Sequence, residues 1–158
     1  MSDPDVPDVS AVPAVLVAPL AEIDPLTLYR ILALRSEVFV VEQDCVYLDA
    51  DGRDAEPDAR QLWIEGDDGD VLATLRVLSE LDGTLRIGRV ATADHARGNG
   101  HAAALMTRAL ELGAGRPTVL NAQSYLEQWY ARFGFVRAGA DFLEDGIPHL
   151  PMLRPGSG

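Results

Sequence analysis

The sequence predicts an α/β fold: a mixed, mostly antiparallel central sheet with helices on both faces. Runs rich in β-branched residues alternate with stretches whose apolar residues recur every three or four positions. The middle strands are joined by short turns, Asp67-Asp-Gly-Asp70 and Asp82-Gly83, which make them antiparallel neighbours. A helix then separates the strand over 85–92 from the next strand, so the sheet is mixed rather than a simple meander.

Residues 1–10 are rich in Asp, Pro and Ser and are expected to form a disordered tail. One domain is expected over 11–154, followed by a short tail at 155–158. Val12 to Leu20 reads as the first strand. Asp24-Pro25 starts a helix, with Asp as the cap and Pro at the first helical position. Its apolar stripe is Leu28, Ile31, Leu32, Val38 and Phe39. Asp49 to Arg60 has no periodicity and reads as an acidic loop. Strands follow at 62–66, 71–78 and 85–92. A second helix is expected from about Gly98 to Leu112, stopped by Gly113 and Gly115. Thr118 to Ala122 is a further strand and Tyr125 to Phe133 a short helix capped by Gly134. The chain returns to strand at Phe135, and His149 to Leu153 is the last strand.

Composition narrows the function. All 13 basic residues are arginine, which removes lysine Schiff-base chemistry and the lysine-dependent phosphate loop. The net charge of −12 repels nucleic acid and anionic membranes and favours cationic ligands. No apolar run is long enough to span a bilayer, and the start of the chain lacks the pattern of a signal peptide, so the expected location is the cytoplasm. Cys45 is the only cysteine and reads as packing rather than as a nucleophile. Asp49-Ala-Asp51-Gly52 resembles part of a calcium loop without its remaining ligands, so no metal is expected. Its carboxylates, Asp49 and Asp51, suit the mouth of an amine site.

Two features suggest chemistry. Arg35 interrupts an apolar stripe, with Glu42 on the same face seven residues later if the helix persists. Either the two form a structural ion pair, or Arg35 and Glu42 belong to a pocket wall that faces a substrate. The second feature is Arg97-Gly98-Asn99-Gly100-His101-Ala102-Ala103, a tight loop opening a helix after an apolar strand. Unpaired N–H groups and the helix dipole there suit a phosphate or pyrophosphate, and the small residues allow close approach. Arg97 adds a charge-assisted contact at the rim. The Gly-x-Gly-x-x-Gly pattern of dinucleotide-binding units fails here, because position 103 is Ala.

Arg97-x-x-Gly100-x-Ala102 resembles the acyl-CoA loop of the GNAT N-acetyltransferases. Trp129-Tyr-Ala-Arg-Phe-Gly-Phe135 is similar to the later motif of the same superfamily, in the right order and about thirty residues on. Leu34-Arg-x-x-Val-Phe-Val-Val-Glu-Gln43, Tyr47-x-Asp-x-Asp-Gly52, Ile87-Gly-Arg-Val90 and Glu144-Asp-Gly-Ile-Pro-His149 resemble its ElaA-like branch. The likeness runs from about Leu26 to Leu153.

The resemblance implies a GNAT fold whose central parallel strands splay into an acetyl-CoA cleft. It implies that Val90, Ala91 and Thr92 pair with the pantetheine arm and that amides of Arg97 to Ala103 hold the pyrophosphate. Tyr130, at the motif tyrosine, would protonate the leaving thiolate, and Glu42 is the first candidate for the base. Gln123 stands where many members carry Asn, and would contact the CoA arm. The implied activity is direct transfer of an acetyl group from acetyl-CoA to a primary amine, on a small molecule or a peptide. The net charge makes that acceptor a cationic one, and a homodimer is compatible with the superfamily. Two alternatives stay open: a CoA-binding module without turnover, and an enzyme like the acyl-homoserine lactone synthases.

Overall fold

A computed structural model describes residues 14–157. The tail expected over 1–10, the start of the first strand at Val12, and Gly158 lie outside the described residues. Strand β1 is Leu16–Ala18, shorter than expected because Pro19 removes a donor and a 3-10 turn at Leu20–Glu22 follows. Helix α1 is Pro25–Arg35. The Asp24 carboxylate accepts from the Thr27 N–H at 3.2 Å, and Pro25 sits where no N–H is needed.

α1 does not end at Arg35. It widens into a π-helical segment, Ser36–Glu42, with the Gln43 N–H donating to the Val38 carbonyl at 3.2 Å. More residues per turn rotate Glu42 away from the direction of Arg35, so the seven-residue spacing no longer places them together.

Strands β2 (Arg60–Glu65), β3 (Val71–Ser79) and β4 (Leu85–Thr92) form an antiparallel meander. Helix α2 is His101–Leu112, β5 is Thr118–Gln123 and α3 is Glu127–Ala131. β6 (Val136–Arg137), β7 (Phe142–Glu144) and β8 (Ile147–Arg154) complete one sheet of order β1-β2-β3-β4-β5-β8-β6, with β7 paired to β8. The β7–β8 hairpin was not expected as two strands. β7 is short and exposed, and its turn uses Asp145 and Gly146 at positive φ.

The alternation of β2 and β3 puts helices on opposite faces. Leu62, Ile64, Ala73 and Leu75 pack with Leu105, Met106 and Ala109 of α2. Trp63 and Ala91 pack with Ile31, Leu34 and Val38 on the other face, joined by Val71, which lies past the register shift at Ile64/Glu65 and so faces away from Ala73 and Leu75. In β4 this parity changes sides: Ile87 belongs to the α2 core and Ala91 to the α1 core. A bulge is the reason. Arg76 pairs with Gly88 and Thr74 with Ala91, so Leu75 alone faces both Arg89 and Val90, and Arg89 takes φ 53°. Among the described residues, no helix is long and apolar enough to cross a membrane.

Candidate functional site

β4 and β5 are the sheet's parallel pair, and they stay together only at Leu85–Thr118 and Arg86–Val119. Beyond Arg86 they part. β5 keeps its other edge paired to β8 through Gln123–His149, while β4 remains paired to β3 up to Thr92. The gap is a cleft of about 670 Å³ whose walls include Val90, Ala91 and Thr92 on one side and Leu120, Asn121 and Gln123 on the other. The β4 edge facing it has backbone groups with no strand to meet, a ready place for an extended chain to add.

At the far end of β4 the chain makes a 3-10 turn, Asp94–Ala96, and then the glycine loop. Gly98 and Gly100 hold φ 83° and 77°, values that an L side chain adopts only with strain. Gly100 is the N-cap of α2 and no side chain caps the helix, so its first N–H groups point outward without an acceptor. A second cavity of about 240 Å³ is lined by Thr92, Arg97, Gly98, Gly100, His101, Ala102, Ala103 and Trp129. A Cβ placed on Gly98 or Gly100 meets nothing within 4 Å, so the space beside both is open. Asn99 uses its side chain differently, donating to the Ala96 carbonyl at 2.9 Å and latching the loop. A twelve-residue helix start with open amides, continuous with an unpaired strand edge, fits a pyrophosphate joined to an extended arm.

Glu42 does not pair with Arg35. Its carboxylate accepts from Arg97 at 2.7 Å, and Arg97 also donates to Asp94 at 3.1 Å. Glu42 lines the cleft, and its half-exposed ion pair with Arg97 links the glycine loop to the π-helical segment. The hydrogen bond from Arg97 to Glu42 pushes the guanidinium's pKa up, against some desolvation.

Arg35 is wholly buried, 1% exposed, and bonds Asp49 at 2.8 Å and Asp54 at 2.8 Å. Arg76 holds Asp51 through two bonds of 2.8 Å, and also reaches Asp54 at 3.2 Å. Arg89 meets Asp49 at 2.8 Å and Asp51 at 3.3 Å, and the Gln61 amide donates to Asp54 at 2.8 Å. The expectation that Arg35, Asp49 and Asp51 contact the substrate is therefore corrected. Their charges meet in a network of three arginines and three aspartates, buried at Arg35, Arg76, Asp49 and Asp54 and open to solvent at Asp51, whose arginines Arg76 and Arg89 form part of the cleft wall. Sequence reasoning missed Asp54, Gln61, Arg76 and Arg89. The only signal was that charged residues sat in strand patterns where apolar ones belong.

Acid should unpick this network. The hydrogen bond from Arg76 holds the Asp51 carboxyl far below the usual carboxylate range, against some desolvation. Burial raises Asp54, but the hydrogen bond and charge of Arg35 outweigh it, and the net direction is downward. The unfolded carboxyls, near ~3.9, take up protons before the folded ones do. Their stabilisation is thus full above about pH 5 and is lost progressively as pH falls through ~4 and below. Chemical unfolding between pH 3 and 7 should show this loss, with a shallower fall in Asp51→Asn.

Tyr130 lies on α3 with its ring 4.9 Å from Trp129 and 6.2 Å from Phe135, both edge-on. It is 6% exposed, and its side chain reaches the cleft. Burial, then the nearby Tyr125, pushes its pKa up to about 12, so it stays a phenol and a hydrogen-bond donor at neutral pH. Gln123 donates to the Gln43 side chain at 3.2 Å, tying β5 to the end of the π-helical segment across the cleft. Cys45 also lines the cleft. Burial first, then Asp145, Asp44 and Glu144, push its thiol up, which opposes thiolate chemistry.

A split parallel pair, a bulged central strand and an open glycine loop at a helix start define the acyltransferase fold of the GNAT class. Residues 47–154 match the family model of the acetyltransferase (GNAT) domain, and the chain belongs to that family, in its ElaA-like branch. A UPF0039 protein of Mycobacterium tuberculosis is 50% identical over 140 residues, covering 87% of this chain and 90% of that one. The crystal structure of Escherichia coli ElaA superposes with a TM-score of 0.84 at 34% identity, covering 90% of this chain and 99% of that one. An acyl-CoA N-acyltransferase from Pseudomonas aeruginosa gives 0.84 at 40% identity, with the same coverage of 90% and 99%.

Proposed function

We propose that this protein is an acetyl-CoA-dependent N-acetyltransferase acting on a primary, cationic amine by direct attack in a ternary complex. The observation that carries it is the continuity of three features in one cleft: the free β4 edge, the uncapped start of α2, and the phenol of Tyr130. Val90, Ala91 and Thr92 would hold the pantetheine arm, and amides of Arg97 to Ala103 the pyrophosphate. Acetyl-CoA, when bound, supplies the activated thioester carbon that an amine attacks.

Tyr130 holds its proton and offers it to the sulfur. Full transfer from a phenol near 12 to a thiolate whose ordinary value is ~8.5 is uphill by roughly 5 kcal/mol. Donating a hydrogen bond to the departing sulfur is the cheaper service, worth about 1.5–3 kcal/mol for a charged acceptor. Tyr130→Phe should therefore lower kcat by about 10- to 100-fold while acetyl-CoA affinity stays within twofold. Steady-state kinetics beside calorimetric titration checks both halves; an unchanged kcat would remove Tyr130 from the chemistry.

Charge supports a cationic acceptor. The cleft-wall arginines Arg76, Arg86, Arg89 and Arg97 are each paired with carboxylates, whereas Asp44, Glu144 and Asp145 lie close enough to Cys45 to act on its thiol. Rates with cationic amines should fall as salt rises. Rates indifferent to salt and to acceptor charge would contradict that part of the reading.

A further inference from the structure

With Glu42 tied to Arg97, the base is to be sought elsewhere in the cleft. We propose that His149 takes the proton from the acceptor amine; this rests on the acetyltransferase reading above. His149 lies on β8 opposite Gln123 of β5, where the splayed strands open, and it lines the cleft while only 8% exposed. Its ring stacks on Phe142 of β7 with centroids 5.8 Å apart.

The hydrogen bonding fixes the tautomer. Nδ1 is 2.7 Å from the Ile147 carbonyl, and a carbonyl only accepts, so Nδ1 carries the hydrogen. The neutral ring then presents Nε2 as a lone pair, and Nε2 makes no hydrogen bond among the described residues. Glu144 Oε2 stands 3.6 Å from Nε2, beyond hydrogen-bond reach but close enough to stabilise an imidazolium. The arrangement has a base, a carbonyl that orients it and a carboxylate that favours its charged form.

The step balances. One proton of the bound ammonium passes to Nε2 and frees the nitrogen lone pair; the nitrogen forms the bond to the acyl carbon, the carbon–sulfur bond breaks with the electron pair leaving on sulfur, beside the Tyr130 hydroxyl, and the second nitrogen proton passes to solvent. His149 then returns the proton to solvent. Besides Glu144, Asp145 faces this end from the β7–β8 turn and the neutral Gln123 amide from β5. Cys45, Tyr47, Arg89 and Tyr130 line the same cleft.

His149→Gln keeps the bulk and a polar tip but cannot shuttle a proton at neutral pH. It should lower kcat about 100-fold or more at pH 7, leave acetyl-CoA affinity within twofold, and close much of the gap by pH 9, where more of the amine is already neutral. Free imidazole should restore part of the rate to His149→Ala and none to Tyr130→Phe. A His149→Gln enzyme with wild-type kcat, a deficit equal at every pH, or a His149→Ala enzyme that imidazole does not help would each overturn the proposal and leave acetyl transfer standing. A wild-type protein that acetylates no amine would overturn both.

Discussion

Gly100→Glu should abolish binding of acetyl-CoA. The change acts in two ways at one position. Gly100 holds φ 77°, and a side chain in that region costs about 1–2 kcal/mol. The larger effect is the carboxylate, which enters the open space beside the first amides of α2 and takes the place of the anion they would hold. Calorimetric titration should show affinity reduced by more than about 100-fold. Because a Cβ at this position meets no neighbour within 4 Å, the variant should remain folded, with a far-UV spectrum like the wild type. Gly100→Ala isolates the strain and should weaken binding only modestly. Equal affinity in wild type and Gly100→Glu would mean that the loop does not hold the phosphates.

Arg35→Met should be the most destabilising single change at the ion network. The guanidinium is buried and bonds Asp49 and Asp54 at once, so its loss takes a partner from two buried carboxylates and leaves the network with one uncompensated negative charge. Breaking a buried pair from one side costs about 3–5 kcal/mol. In a chain of this length that corresponds to a fall of roughly 10 °C in Tm. Arg108→Ala removes an exposed pair with Glu111 at 3.5 Å and should change stability by less than ~0.5 kcal/mol. A small effect at Arg35, measured by urea unfolding, would mean that water enters and solvates the stranded aspartates.

What the sequence displayed well was local. The run from Ile87 to Thr92, the glycine loop and the apolar spacing of α2 are written in contiguous residues, and β4, the turn and α2 form as expected. Tyr130 stands out through the resemblance of Trp129–Phe135 to the superfamily's later motif; its spacing alone reads as core packing with Trp129 and Phe133. What depended on distant partners was not visible. Helical spacing offers Arg35 either an ion pair with Glu42 or a place in a pocket wall, whereas its partners lie 14 and 19 residues away in a loop without periodicity. Nothing in Ser36–Glu42 announced a widened turn, and that turn redirects Glu42 to Arg97, 55 residues on. The β4 bulge was equally silent, although it decides which residues face each core. His149 was noticed only as the end of a motif; its use depends on a hairpin whose exposed strand, Phe142–Glu144, carries almost no burial signal.

The central claim is that one continuous surface, the free edge of β4 and the start of α2, holds the acyl-CoA. Amide hydrogen exchange of the wild-type protein with and without acetyl-CoA tests it most directly. Slowed exchange confined mainly to Val90–Thr92 and Gly98–Ala103 is the expected result, since the N–H groups on the free edge of β4 and at the start of α2 would acquire acceptors when the ligand is bound. Exchange unchanged in both segments at saturating acetyl-CoA, or protection confined to another face of the sheet, would contradict it.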